Sequence, residues 1–344
     1  MTAPAPPSDG ETTAVAEPSC RIEIDPASPM LFIINAASGR NAPEATRLLI
    51  EAALRTAGRS GELLFTTAGE LESVARRAAA QAAACRSAVI AVGGDGTINA
   101  VAQAAHAQGC NLGVVPMGTF NYFARTHGIP TDATEAVLAL CRCEPVPVQV
   151  AQINERVFLV NASLGLYPEL LEDREAYKRR FGRSRVVAFA AALATSLGLH
   201  RQLRISIELG AVTREVTTAT LFVGNNRLQL ERVGLPEAPA LDEGCIAAVM
   251  LRPLGTLAML WLIVRGAIGT LGNADDVESF KFQRMVVRPR LRLRGRMVKV
   301  AFDGEVGRMA APLEFRVSPK PLYLLRPATI AGIAGIAGHE PGGA

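Results

Sequence analysis

Residues 93–97 read Gly-Gly-Asp-Gly-Thr, set between the apolar run Ala88-Val89-Ile90-Ala91-Val92 and the helix-like stretch Ile98-Asn99-Ala100-Val101-Ala102. A strand that ends in glycines and passes straight into a helix brings backbone N–H groups and the positive end of a helix to one place, which suits a bound phosphate. Gly93, Gly94 and Gly96 lack a Cβ, so the chain is free to take positive φ there and to leave room for a ligand. Thr97 and Asn99 add polar side chains at the start of the helix, where unpaired N–H groups favour an anion. Asp95 needs a separate reason. A carboxylate beside phosphates is repulsive unless a cation or a sugar hydroxyl stands between them, so Asp95 points to Mg²⁺ or ribose. The plain alternative is a glycine turn joining strand to helix, for which this run of glycines is rich. The element matches neither G-x-x-x-x-G-K-[ST] nor G-x-G-x-x-G.

Two more strand ends carry the same pattern. Leu112-Gly113-Val114-Val115 leads into Pro116-Met117-Gly118-Thr119-Phe120-Asn121-Tyr122, and Met30-Leu31-Phe32-Ile33-Ile34 leads into Asn35-Ala36-Ala37-Ser38-Gly39-Arg40. Consecutive strand ends of a parallel sheet would bring Thr119 and Asn121 near Asp95, on the edge where open α/β folds bind ligands.

From 30 to about 145, apolar strands alternate with Ala- and Leu-rich helices such as 42–57 and 71–85, which predicts an α/β domain with a parallel sheet. Beyond Pro145-Val146-Pro147 the pattern turns to strands, at 149–153, 157–161, 203–209, 215–223 and 284–293, which predicts a mostly antiparallel β domain over 146–312. A cleft between the two would hold the active site. Residues 1–29 read as a disordered leader and 328–344 as a flexible tail.

Composition fits a globular enzyme: of 344 residues, 49% are hydrophobic and 20% charged. The net charge of +4 is too slight to imply a nucleic-acid partner. The six cysteines show neither a disulfide framework nor zinc spacing, which predicts reduced thiols and a cytoplasmic protein. No transmembrane segment is expected, since the apolar run 254–264 is too short to span a bilayer and reads as a buried helix ahead of a membrane-surface one. Arg174, Lys178, Arg179, Arg180, Arg183 and Arg185 gather where an anionic membrane surface or a phosphate could be met, or where a helix face is merely solvated. Arg288, Arg290, Arg292, Arg294 and Arg296 alternate along one strand face, read as edge protection or solvation.

The order of Asn35 with Ser38-Gly39, then Gly93 to Thr97, then Pro-Met-Gly-Thr-Phe-Asn at 116–121, and finally Phe302-Asp303-Gly304-Glu305 resembles the diacylglycerol kinase catalytic family, over roughly 28–327. That family includes bacterial soluble lipid kinases and sphingosine kinases. The resemblance implies an NAD kinase/diacylglycerol kinase-like fold, with 313–327 packing back on the first domain. It implies ATP held by Asn35, Gly93, Gly94, Asp95, Gly96, Thr97, Ile98, Asn99, Thr119 and Asn121, and by one of Thr66 and Thr67. It implies Mg²⁺, with a structural metal at the loop carrying Asp242, Glu243 and Cys245. It puts the catalytic aspartate at Asp303 with Glu305 as partner.

The chemistry at Asp303 has its own rationale. Phosphoryl transfer needs a base to take the acceptor's proton while a metal and donors neutralise the oxygens, and two carboxylates flanking a glycine suit a base and an orienting or metal-binding group. Taken alone, Asp-Gly here is first a hairpin signal; the order of the other motifs turns the balance. The expected activity is transfer of the γ-phosphoryl of ATP to a lipid hydroxyl, foremost that of diacylglycerol, by a protein meeting its substrate peripherally at a membrane, with a homodimer allowed. The alternatives are another acceptor (sphingoid base, ceramide, phosphatidylglycerol or a soluble NAD-like substrate) and a nucleotide- or lipid-binding regulator without catalysis. Tyr122 departs from the aspartate many relatives carry after that asparagine.

Overall fold

The computed structural model describes residues 23–36, 43–165, 168, 202–253, 265, 270, 274, 276–290 and 297–327. The basic cluster at 174–185, the apolar run 254–264, Ser38-Gly39, Arg292, Arg294, Arg296 and the tail 328–344 lie outside these residues.

In chain order the first part runs β1 (Met30–Asn35), α1 (Pro43–Ala57), β2 (Gly61–Thr66), α2 (Leu71–Ala84), β3 (Ala88–Gly93), α3 (Asp95–Gln108), β4 (Asn111–Pro116), α4 (Tyr122–Thr126), α5 (Ala133–Leu140) and β5 (Glu144–Val148). Four strands of its six-stranded sheet lie in the order β2-β1-β3-β4, all parallel. β1, β3 and β4 are near-continuous apolar runs because both their faces are covered, while β2 is a half-buried edge. Phe32, Ile34 and Ile90 pack against Ile50 and Leu54 of α1 and Leu140 of α5. Leu31, Ile33 and Val89 pack on the other face against the alanines of α2 and α3.

The second part continues β6 (Ala151–Ile153), β7 (Arg156–Phe158), β8 (Asn161–Gly165), β9 (Leu203–Leu209), β10 (Val212–Thr218), β11 (Thr220–Gly224), α6 (Arg227–Arg232), β12 (Ile246–Leu251), β13 (Val277–Phe282), β14 (Arg284–Pro289), β15 (Met297–Phe302), β16 (Glu305–Ala310), β17 (Leu313–Val317) and β18 (Leu322–Arg326). Two six-stranded antiparallel sheets, β10-β9-β14-β17-β6-β7 and β13-β12-β11-β8-β15-β16, share one core that includes Ile153, Phe158, Leu164, Val223, Met285, Val300 and Phe315. The architecture is an α/β domain with a parallel sheet plus an antiparallel β domain.

Several local expectations change. The stretch 313–327 is two strands: β17 joins the β domain, and only β18 crosses back, parallel to β4 and antiparallel to β5. The expected strand 215–223 breaks at Ala219, so β10 and β11 lie in different sheets. The Thr218 hydroxyl makes that corner: it lies 2.7 Å from both the Thr220 and the Leu251 carbonyl, sharing its one proton between them, while accepting from Thr220 N–H. β14 lies between β9 and β17, so Arg288 guards no edge; it pairs with Glu208, and Arg290 with Glu215. Residues 23–29 are fastened rather than loose. Asp25 N–H donates to the Arg86 carbonyl, the Ser28 hydroxyl to the Cys85 carbonyl, and the Ser87 hydroxyl to the Pro29 carbonyl.

Gly113 marks how tightly α5 lies on the sheet. A Cβ there would sit 2.4 Å from Ile90 Cδ1 and 2.8 Å from Leu140 Cδ2. Gly113→Ala is expected to destabilise the protein by about 1–3 kcal/mol through overpacking, read as a lower urea midpoint at unchanged slope.

Candidate active site

All the expected nucleotide-loop residues fall at or just past the carboxyl ends of β1, β2, β3 and β4. Asn35 and Thr66 are register partners at the ends of β1 and β2. Asn35 Nδ2 donates to Thr97 Oγ1 at 3.2 Å, which ties the first turn to α3. Thr66 is buried, whereas Thr67 is exposed and donates to Glu70. Gly94 is the N-cap of α3 with extended backbone, and none of Gly93, Gly94 and Gly96 has positive φ. Positive φ is therefore not used at these three, and the position where space requires glycine is Gly118. A Cβ on Gly118 would come within 2.9 Å of Gly94 Cα and 2.7 Å of Asn121 Oδ1, so the two turns touch backbone to backbone. A Cβ on Gly96 would meet Glu305 Oε1 at 3.0 Å.

Asn121 holds its own turn. At φ +48° it accepts from Gly118 N–H through Oδ1 and donates from Nδ2 to the Gly118 carbonyl, 3.1 Å each. Asp95 reaches across to the same place. Burial pushes its carboxyl up, while N–H groups of Asn121, Tyr122 and Asp95 itself stabilise the charge. It thus anchors the start of α4, and its Oδ1 is left buried without a partner. Thr119 is exposed on this turn. Ile98 is fully buried in the core and offers only its backbone to a ligand.

Asp303 and Gly304 form the turn between β15 and β16, at φ +46° and +87°, which is a hairpin as the dipeptide alone predicts. The same turn also delivers the carboxylate to the seam between the domains. Oδ2 accepts from Leu159 N at 2.7 Å and Asn99 Nδ2 at 2.6 Å; Oδ1 accepts from Val160 N at 2.8 Å and Asn161 N at 3.0 Å. Desolvation outweighs these donors and raises the Asp303 carboxyl to about 6. Asn99 does not face the glycine turn with its side chain: the amide is buried and donates also to the Val157 carbonyl, at 3.1 Å. The expected strand 157–161 breaks here because the amides of Leu159, Val160 and Asn161 turn to the carboxylate.

Glu305, one residue beyond Gly304, is the more open carboxylate. Burial raises it, Arg156 lowers it and Glu72 raises it further. The Arg156 guanidinium lies 4.8 Å from the Phe302 ring centroid, with 3.0 Å to Glu72 and 3.8 Å to Glu305. Arg156 and the 159–161 amides went unread in the sequence, since backbone donors leave no residue-type signal, and Gly118 was legible only as part of its turn.

Asp242 and Glu243, in the loop where a structural metal is expected, make ion pairs here. Asp242 pairs with Arg227 and Glu243 with Lys281, so each carboxylate already has its own cation and the two do not converge. Cys245 N–H caps the preceding helical turn through the Ala240 carbonyl. Among the described residues no group of three His, Cys, Asp or Glu side chains could hold a metal ion, and no helix is long and apolar enough to cross a membrane.

Asp303→Asn would set an NH₂ group against N–H donors. It is expected to cost about 2–4 kcal/mol of stability in addition to any effect on turnover, measured by denaturant unfolding.

Comparison with known proteins places this geometry. The family model for the diacylglycerol kinase catalytic domain matches residues 29–153. A Pseudomonas aeruginosa protein described as "Probable lipid kinase YegS-like" is 31% identical over 289 residues, covering 80% of this chain and 88% of that one. Shorter matches are stronger locally. A Klebsiella pneumoniae protein of the same description is 42% identical over 79 residues, 22% of this chain and 27% of its own length. A Staphylococcus carnosus diacylglycerol kinase is 35% identical over 95 residues, 27% of this chain and 31% of its own length. Those two matches thus span about a third or less of the relatives' own length. In fold, the crystal structure of a diacylglycerol kinase from Bacillus anthracis superposes with a TM-score of 0.61 at 18% identity, over 87% of this chain and 96% of that one. The chain belongs to the diacylglycerol kinase catalytic-domain family, together with the YegS-like lipid kinases.

Proposed function

We propose that the protein is an ATP-dependent lipid kinase that transfers the γ-phosphoryl group to a lipid hydroxyl, with diacylglycerol as the foremost acceptor and phosphatidic acid as product. The observation that carries this reading is the Asn99–Asp303 contact of 2.6 Å, which joins the helix springing from the glycine turn to the one hairpin carboxylate at the domain seam. Phosphates would lie on the turns at 93–97 and 118–119, against the N-terminus of α3. The unpartnered Asp95 Oδ1 fits a cation, and one carboxylate together with substrate phosphates is an ordinary Mg²⁺ environment. Bound there, Mg²⁺ would neutralise charge on the phosphate oxygens. Substrate would be met at a membrane surface, since its acyl chains hold it there.

In the reaction the lipid oxygen bonds to the γ-phosphorus, the bond to the bridging oxygen of ADP breaks, and the lipid O–H proton passes to Asp303. A carboxylate raised to about 6 is suited to that exchange near neutral pH. Its four acceptor positions are filled by N–H donors, so taking the proton requires one of these hydrogen bonds to give way, and the Asn99 amide is the one side-chain donor among them. That full occupancy also favours a second reading, in which the open Glu305 takes the proton and Asp303 only positions.

The test is transfer of labelled phosphate from ATP to a panel of diacylglycerol, ceramide, sphingosine, phosphatidylglycerol and NAD. Label in a lipid is expected; label in NAD alone would replace the reading with a soluble-substrate kinase, and label in none would favour a regulator. Rate against pH separates the carboxylates. Since the base must be ionised, kcat/KM is expected to rise through a pH of about 6 and level off above it. Glu305→Gln is expected to keep that limb if Asp303 is the base, and to abolish the limb with a loss of roughly a hundredfold or more if Glu305 is. The stability linkage runs oppositely. The folded carboxyl lies above its free value of about 4, so stability is highest below that and falls as Asp303 ionises towards a pH of about 6.

A further inference from the structure

Two buried side-chain oxygens without a hydrogen-bond partner, Asn161 Oδ1 and Ser163 Oγ, stand two residues apart on β8. Their residues are only 4% and 0% exposed. Alternation along the strand puts both on the same face, opposite Ala162 and Leu164, which enter the β-domain core. The strands alongside supply no partner. Asn161 is opposite Gly224 and Ser163 opposite Phe222 on β11, and Ser163 is opposite Ala301 on β15. The other half of the Asn161 amide is used, since Nδ2 donates to Gln229 Oε1 at 3.1 Å.

An unpaired buried oxygen costs about 1–3 kcal/mol, and alanine or valine at either position would avoid it. Their place in the site supplies the reason. The backbone N–H of Asn161 is one of the donors that hold Asp303, and β15 runs from Ala301, the neighbour of Ser163, to Phe302 and the Asp303 turn. The two orphan oxygens therefore continue from the seam carboxylate along one face of the sheet.

We propose that Asn161 and Ser163 form the subsite for the polar head of the acceptor. Asn161 Oδ1 only accepts, so the ligand presents an O–H or N–H to it; Ser163 Oγ both accepts and donates, and so meets a hydroxyl or a carbonyl. This rests on the lipid-kinase reading above and names the residues that would recognise the acceptor rather than the nucleotide. The ligand class is a hydroxyl-bearing lipid head group.

The test is equilibrium binding of soluble short-chain probes, dioctanoylglycerol and its methyl ether, to the full chain as wild type, Ser163→Ala and Asn161→Ala. Both variants keep the backbone N–H that holds Asp303. The expected result is that dioctanoylglycerol binds each variant 5–20-fold more weakly, a range that corresponds to about 1–2 kcal/mol, while the methyl ether, which has no O–H to offer Asn161 Oδ1, binds wild type and Asn161→Ala alike. Ser163→Ala is expected to unfold no earlier than wild type, because the lost hydroxyl has no partner. Equal dioctanoylglycerol binding by the three proteins, or no binding by wild type, overturns the subsite. Phosphate transfer from ATP, followed in parallel, decides the kinase reading separately: turnover with an unchanged KM for the lipid in both variants would sink the subsite and leave the kinase standing.

Discussion

The Asp303 carboxylate is the knot of this structure. Its two oxygens accept from three successive backbone amides of 159–161 and from the Asn99 amide, so one side chain joins a hairpin, a strand break and the helix of the glycine turn. The arrangement is costly to build, because a carboxylate leaves water and the backbone forgoes ladder bonds. Four donors offset much of the desolvation without removing it, and the carboxyl remains raised to about 6. The same burial that fixes the hairpin in place is what raises the carboxyl.

A second contact sets the glycine-turn side. Gly118 lies against Gly94 so closely that a Cβ would strike backbone, and Asp95 crosses from one turn to the start of α4 on the other. The two turns form one rigid floor at the carboxyl edge of the parallel sheet. Glu305 reaches this floor from the β domain, over Gly96, with Arg156 beside it. Both domains thus contribute charge to a single place.

The parts legible in the sequence were those governed by local pattern. The strands β1, β3 and β4 showed as unbroken apolar runs because both faces are buried, and α1 to α3 showed as alanine-rich helices between them. Asp303-Gly304 was legible twice, as a hairpin signal and as a motif in an ordered series, and it is a hairpin that also holds the seam. Harder to see were events in which a chain leaves one partner for another. The break at Ala219 depends on where the Leu251 carbonyl lies, and the break at 159–160 on a carboxylate more than 140 residues away in sequence. The division of 313–327 between domains has the same character, since β17 and β18 are alike in composition and differ in which edge is free to receive them. The pairing of Asp242 with Arg227 and of Glu243 with Lys281 has the same character, since each cation reaches its carboxylate from another element.

What the sequence determined by itself was the strand–turn–helix units, the change from parallel to antiparallel patterning after Pro147, and the ordered motifs that mark the family. Local sterics and hydrophobic periodicity act over a few residues, so they can be read without coordinates. What only the tertiary structure decided was the work each motif residue does. It made Gly118 the gap into which the Gly94 backbone fits, made Asn99 a bridge between domains, and left oxygens unpaired on Asn161 and Ser163. Such assignments depend on desolvation and on partners brought together from distant parts of the chain, and folding alone fixes both.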